Sequence, residues 1–360
     1  MLLVVHHLVV DGVSWRILLP DLAAAYRAAE AGRAVALTPV TASFRGWARR
    51  LSAAAKDLRR REELPWWRRT LAAGPGLFGE DALVPERDTF ADLGRLRTTV
   101  PTELTSAILG EVSTALNLRV DEVLLSALAL AADEWRRRRR IPGQGVLVDV
   151  EAHGRDLTGD TEGTDLSRTV GWFTRIHPVR LDPGTVPPED LRSGGQAVER
   201  AARRVKEQLR GCPDGGAGYG LLRYLTPDGI DKPLARRRAE VGFNYLGRFE
   251  VSDEADWLPT ADPVPVPAAD PRMPVPHALE LTIVCTDLPR GPEFSVTWSW
   301  ARALLGEQQA ADFADLWNET LAALCARART GSKAGRTPSD VPLVSLNQEE
   351  LDLLEEKWSF

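Results

Sequence analysis

His6 and His7 stand side by side, and Asp11-Gly12 follow after three apolar residues. Imidazole is the side chain whose ordinary pKa lies nearest neutrality, so it suits a general base. Such a base needs a backbone that aims it into a cleft and a carboxylate that holds it. The apolar run Leu2 to Val5 predicts a strand leading into the pair, in which His6 and His7 point to opposite faces. On that reading His6 is a packed or hydrogen-bonded structural residue and His7 faces the cleft. Asp11-Gly12 turns the chain sharply and brings a carboxylate close. Taken alone, the stretch also fits a tag remnant, a metal site or two surface residues.

A second cluster, Glu151-Ala152-His153-Gly154-Arg155, ends a mostly apolar strand-like segment, Val146 to Val150, broken only by Asp149. An unpaired carboxylate at the end of such a strand is costly. His177 and His277 have no metal-ligand spacing to anything else. Gly216, Gly218 and Gly220 resemble a phosphate loop only superficially, because no strand-GxxxxGK[ST]-helix context surrounds them.

The elements that must position these residues alternate between periods of 3.6 and 2. Helical spacing covers Ser14 to Ala31, Ser43 to Leu58, a segment at Trp66-Trp67, Leu104 to Leu116, Val120 to Trp135, Leu191 to Leu209 and Leu304 to Ala328. Strand patterns cover Leu96 to Val100, Val146 to Val150, Val241 to Leu246, His277 to Thr286 and Phe294 to Trp300. Thr169 to Leu181 reads as a strand pair or one bent strand. Asn117 marks a turn, Gly211 to Gly220 a Gly-rich loop, and residues 80–90 a loop. Seven prolines between Pro259 and Pro276 mark another loop. Arg136 to Arg140 reads as a solvated helix end, where cations suit the helix dipole. Leu346 to Trp358 is an acidic amphipathic stretch.

The 360 residues are 44% hydrophobic and 27% charged, with a net charge of −6. That suits a soluble globular protein of one large or two medium domains. The mix of strand and helix patterns makes the class α/β with two lobes and a cleft, and nothing global favours nucleic acid or a membrane surface. Forty of the 45 basic residues are arginine, a compositional bias. Three dispersed cysteines, Cys212, Cys285 and Cys325, suggest a reducing compartment without a disulfide framework. No membrane span or signal peptide is evident, so a cytoplasmic location is expected.

Six segments in order resemble the motifs of one family. His6 to Trp15 resembles HHxxxDxVSW, and Asp121 to Leu128 the next, helical motif. Glu151 to Asp156 looks like EGHGRE, and Arg168 to Thr174 like RTVGWFT. Pro213 to Gly220 fits PxxGxGYG, and Phe243 to Phe249 is similar to FNYLGQF. The family is the epimerization domain of nonribosomal peptide synthetases, in the condensation-domain superfamily, which is similar to chloramphenicol acetyltransferase. The resemblance runs nearly the whole length. Ala152 replaces a usual Gly, Asp156 a Glu, His177 a Tyr and Arg248 a Gln, and Pro20 stands where an acid is common.

The resemblance implies an α/β fold, a two-lobed chloramphenicol acetyltransferase-like sandwich with a cleft between lobes. In the family HHxxxD lies well inside the first lobe, so that lobe is expected to be incomplete, with the chain N-terminally truncated. Residues 1–93 then form the C-terminal part of the first lobe, 94–330 the second, and 331–360 a linker or tail toward a following domain.

The implied reaction inverts Cα of an L-aminoacyl or peptidyl thioester. Inversion removes a proton from one face and delivers one to the other, so two opposed acid/base groups are needed, each worth ~10²–10⁴-fold. His7 and Glu151 take these roles. Burial would raise the glutamate and neighbours would tune the imidazole. His6, Asp11, His153 and Arg155 are expected to orient or support them, with Asp11 paired to Arg155. Ser14, Trp15, Asn244 and Tyr245 are substrate-pocket candidates, and Asn244 and Tyr245 candidate donors to the enolate-like oxygen. Trp172, Phe173 and Phe243 are expected in the core.

No metal, nucleotide or redox cofactor of its own is expected. The phosphopantetheine arm belongs to a peptidyl carrier protein, the expected partner together with adjacent synthetase domains; nucleic acid and membrane are not expected. Arg200, Arg203, Arg204 and Arg210 form a candidate docking face for an acidic carrier. Two alternatives stay open: a condensation domain forming peptide bonds with the same histidine, and an inactive interaction module.

Overall fold

The computed structural model describes residues 3–72, 74, 76–79, 82–155, 163–226, 238–250, 257, 269–330, 335–341, 343–344 and 346–357. Asp156, the proline-rich positions 259–268 and much of the polar stretch after 330 lie outside the described residues.

A 3-10 turn (His7–Val9) leads into α1 (Gly12–Glu30), α2 (Phe44–Ala54), α3 (Leu58–Glu62) and α4 (Leu64–Thr70). There follow β1 (Leu93–Val100), α5 (Thr102–Ala107), a π-helical turn (Ile108–Val112), α6 (Ser113–Ala115), α7 (Val120–Arg139), β2 (Val146–Ala152) and β3 (Arg175–Leu181). Next come α8 (Pro188–Ser193), α9 (Gln196–Arg210), α10 (Ala217–Tyr224), β4 (Val241–Glu250), β5 (Leu279–Leu288), β6 (Gly291–Ala301), α11 (Glu307–Ala328) and α12 (Gln348–Lys357).

The six strands form one mixed sheet in the order β1-β6-β5-β4-β2-β3. β4 pairs in parallel with β2 and β5; the other pairings are antiparallel. Every residue of α7 from Val123 to Ala132 is buried. A helix apolar on every side must be enclosed, and α7 packs among α9, α11 and the sheet. Trp317 donates its indole N–H to Leu124 O at 3.3 Å, and Thr320 its hydroxyl to Ala127 O at 2.9 Å, tying α11 to α7.

Strand alternation decides what the sheet's two faces carry. Val146, Val148, Val241, Phe243, Leu279, Leu281 and Ile283 are buried under the helices. Asp149, Glu151, Asn244 and Glu280, out of phase with them, project from the opposite face.

Several expectations need correction. Leu3 to Val5 form no strand. A strand needs a neighbour for its backbone groups, and among the described residues none pairs here. His6 instead caps the 3-10 turn, its Nδ1 accepting from Leu8 N–H at 3.1 Å, so the two histidines enter a turn rather than alternate along a strand. The Gly-rich segment is partly helical, α10 beginning at Ala217. The strand expected over Thr169 to Leu181 is regular only from Arg175. The helix expected over Leu191 to Leu209 is two helices, because Gly194 adopts φ +70° and ends α8. Arg136 is not solvated: it is buried, donating to Gly76 O and Pro142 O.

The basic docking face is also revised. Arg203 lies 3.6 Å from Glu199, Arg204 2.6 Å from Asp182, and Arg210 2.7 Å from Glu122 and 2.8 Å from Asp340. These cations are paired with acids of the chain itself, which cancels much of the field an acidic partner would meet. Lys206, fully buried, donates to Asp340 Oδ2 at 2.6 Å. Asp340→Ala would leave that ammonium unpaired, so urea unfolding should show a loss of about 3–5 kcal/mol.

Candidate active site

Asp11 occupies the N-cap of α1, and both its oxygens are used. Oδ1 accepts from Ser14 N–H (2.7 Å) and lies 2.8 Å from the Ser14 hydroxyl. Oδ2 accepts from Arg155 Nη1 (2.6 Å) and Phe173 N–H (3.2 Å). Burial pushes the carboxyl's pKa up, but Arg155, Ser14 and Phe173 outweigh it and hold it below the usual carboxylate value. Arg155 extends the junction, donating to Thr169 O at 3.0 Å and stacking 4.3 Å from the Phe173 ring centroid. Three chain segments, the start of α1, the loop after β2 and residues 169–173, therefore meet at one buried ion pair.

Gly154 lets that loop pass. Its φ is +67°, and a Cβ there would sit 1.8 Å from Phe173 O, so only glycine fits. His153 is exposed, its Nδ1 accepting from Arg155 N–H at 3.1 Å, a bond that shapes the same turn.

Glu151 lies on the helix-free face of β2, in register with Asn244 of β4 and Ile176 of β3. Burial raises its pKa, and the charge of Glu280 raises it further. His7, a hydrogen bond from Asn244 and His277 pull the other way, and the net shift is upward. His7 is exposed and reaches this region from the N-terminal segment, its ring centroid 4.7 Å from that of Trp172. The site thus joins His7, Glu151 and Asn244 on one side of the sheet.

The remaining pocket candidates are placed differently. Ser14 is fully buried, accepting from Gly171 N–H at 3.1 Å and Arg155 Nη2 at 3.2 Å; it holds the junction and does not line a pocket. Tyr245 turns to the helix-covered face, 6.1 Å edge-to-face from Phe294, and burial pushes its hydroxyl up to about 12. It is out of phase with Asn244 and leaves the donor role to that amide. Trp15 is half-buried on α1. Phe173 and Phe243 are core, as expected, but Trp172 is 43% exposed; it faces His7 instead.

A cavity of about 700 Å³ adjoins the site. Trp172 and Asp149 line it, with Phe44, Trp47, Leu221 and His277. Sequence reasoning weighed His277 only as a metal ligand. The structure places it against Asp149, Nε2 to Oδ2 at 3.1 Å, with Nδ1 3.7 Å from Glu280. Burial lowers its pKa, but the two carboxylates overcome this and lift it to about 9. The signal was present in Asp149, the one charge inside an otherwise apolar strand. No group of three or more His, Cys, Asp or Glu suited to a metal occurs among the described residues, and no described helix is long and apolar enough to cross a membrane.

Residues 1–341 match the condensation-domain family. The chain belongs to that family. It is 35% identical over 362 residues to chondramide synthase cmdD of Chondromyces crocatus, covering 98% of this chain but 8% of that protein. It is 31% identical over 365 residues to bacitracin synthase 3 of Bacillus licheniformis, covering 99% and 5%. This condensation-family chain therefore spans a small part of the curated relatives it matches. Among solved structures it is similar to the epimerization domain from the third module of tyrocidine synthetase B, with TM-score 0.73 and 28% identity over 91% of this chain and 69% of that one. The first condensation domain of the calcium-dependent antibiotic synthetase shares the fold at TM-score 0.56 and 20% identity, covering 92% and 64%.

Two outcomes follow from the geometry. Arg155→Ala strands a buried carboxylate, and chemical unfolding should show a loss of about 3–5 kcal/mol. His277 binds its proton more tightly in the folded chain, at about 9 against an ordinary 6.5. The resulting stabilisation is complete below 6.5 and disappears as pH rises through 9. His277→Gln should therefore flatten the fall in unfolding free energy over that range, measured by urea titration at a series of pH values.

Proposed function

We propose that this domain inverts Cα of an L-aminoacyl or peptidyl thioester presented on the phosphopantetheine arm of a peptidyl carrier protein, with His7 and Glu151 as its two acid/base groups. The observation that carries the reading is Glu151, a carboxyl on the helix-free sheet face, raised by burial and by Glu280 yet within the field of His7. A carboxyl raised in this way can hold a proton closer to neutral pH than an ordinary glutamate. Peptide-bond formation gives such a group no evident task, whereas inversion needs it.

One of the pair takes the proton from Cα, and the C–H electrons move onto the thioester carbonyl to give an enolate. The other group delivers a proton to the opposite face of Cα, and the electrons return from oxygen to carbon. The asymmetry of the two groups suits this: an exposed imidazole enters from the N-terminal segment, and a sheltered carboxyl stands on the sheet. Asn244, bonded to Glu151, steadies the carboxyl and is a candidate donor to the developing oxyanion. The likeness to the tyrocidine synthetase epimerization domain supports the same reading. Relatives that are far longer synthases support neighbouring synthetase domains as partners.

The family match itself favours a second reading, condensation, in which His7 alone positions or deprotonates an incoming amine. Chirality separates the two. With a carrier protein loaded with an L-aminoacyl group, hydrolysed product should contain the D form. His7→Ala and Glu151→Gln should each slow its appearance by about 10²–10⁴-fold while the variants remain folded. Normal inversion by Glu151→Gln would refute the two-group scheme. Amide formation with an added aminoacyl acceptor, and no D product, would favour condensation.

A further inference from the structure

Beside Glu151 lies a charged group that the inversion scheme does not use. His277 precedes β5 and is half-buried, its side chain 10% accessible, on the face that carries Glu151. Its ring rests on Gly242, where a Cβ would approach Nδ1 to 2.4 Å; the strand needs glycine there to seat the imidazole. Nε2 meets Asp149 at 3.1 Å, and Nδ1 stands 3.7 Å from Glu280 Oε2, an ion-pair distance longer than a hydrogen bond. Asp149 is two residues from Glu151 on the same strand face, and Glu280 acts directly on Glu151 through its charge.

We propose that His277 is a positioning residue for charge: clamped between Asp149 and Glu280, it offsets their negative field at Glu151 and so sets the proton affinity of that catalytic carboxyl. The inference rests on Glu151 being one of the two proton-transferring groups. An acid/base group must both give and take a proton near the working pH, so its affinity has to stay within a narrow band. Burial and Glu280 push the proton affinity of Glu151 upward; His277, with His7 and Asn244, limits that rise. Loss of the imidazolium leaves Glu280 and Asp149 uncompensated, and loss of Glu280 leaves the imidazolium dominant. The two changes therefore act on Glu151 with opposite sign. Other charged groups near His277, namely Arg60 with Asp214, Arg175, Arg223 and Arg238, line the cavity it faces. Glu280→Gln and His277→Gln leave them in place.

The test is a carboxyl titration that does not need turnover. Glutamates carrying 13C at Cδ are followed by NMR, and the Glu151 signal is assigned by its loss in Glu151→Gln. The midpoint of Glu151 should rise in His277→Gln and fall in Glu280→Gln, each by about half a pH unit or more, a ~threefold change in proton affinity. The double variant should lie between them. Glu280 is partly exposed, with a side chain 40% accessible, so Glu280→Gln remains a usable test if His277→Gln does not fold. Midpoints that stay put, or move in the same direction, overturn the proposal. In parallel, the pH profile of D-product formation should shift with the NMR midpoint. NMR shifts of the expected sign without any wild-type inversion would uphold the charge balance and refute the reaction assigned to the site.

Discussion

A single buried ion pair, Asp11 with Arg155, ties the segment that carries His7 to the sheet that carries Glu151. It joins the N-terminus of α1 to the loop that leaves β2, at 2.6 Å. His7 is four residues before one partner, and Glu151 is four residues before the other. Neither group is held by strong contacts of its own: His7 is exposed and rests on Trp172, and Glu151 has one amide neighbour, Asn244. The junction sets how the segment of His7 approaches β2, while the facing direction of Glu151 comes from the sheet. A buried pair of this kind adds little net stability compared with an apolar substitute, but breaking it is expensive. Its worth lies in fixing one register between segments far apart in sequence, and Ser14, Gly154 and Phe173 close around it for that purpose.

The sheet supplies the second constraint. Its helix-covered side is a close-packed apolar core, with Trp298, Phe313 and Trp317 at edge-to-face distances of 5.6 and 6.2 Å. Period-2 alternation then forces the intervening side chains of β2, β4 and β5 to the other face. Asp149, Glu151 and Glu280 crowd there and would repel one another. His277 among them relieves that crowding, and Asn244 adds a neutral donor. The rigidity of the core and the charge tuning of the site are consequences of the same strand pattern.

Much of this was legible in the amino-acid order. The strands from β4 to β6 and the long helices α7 and α11 declare themselves by period, and the pairing of Asp11 with Arg155 was anticipated. What failed did so for physical reasons. Leu2 to Val5 looks like a strand, but apolarity does not supply a pairing partner. Arg203, Arg204 and Arg210 look like a free basic stripe, but Glu199, Asp182, Glu122 and Asp340 reach them from other elements or the next turn. Tyr245 stands with Asn244 as a candidate through the family resemblance alone, whereas neighbours on a strand point to opposite faces. The pairing of His277 is not legible in sequence because Asp149, which its Nε2 meets, lies on a strand that only the fold brings beside it.

The central claim is that two groups serve opposite faces of Cα. It is tested most directly by following early turnover of an L-aminoacyl carrier protein in D₂O, with chirality and mass read together. The account predicts that D product carries deuterium at Cα while unreacted L substrate remains protiated, because each face exchanges through its own group. Deuterium entering recovered L substrate as fast as D product forms would mean that one group works both faces, and would contradict the account.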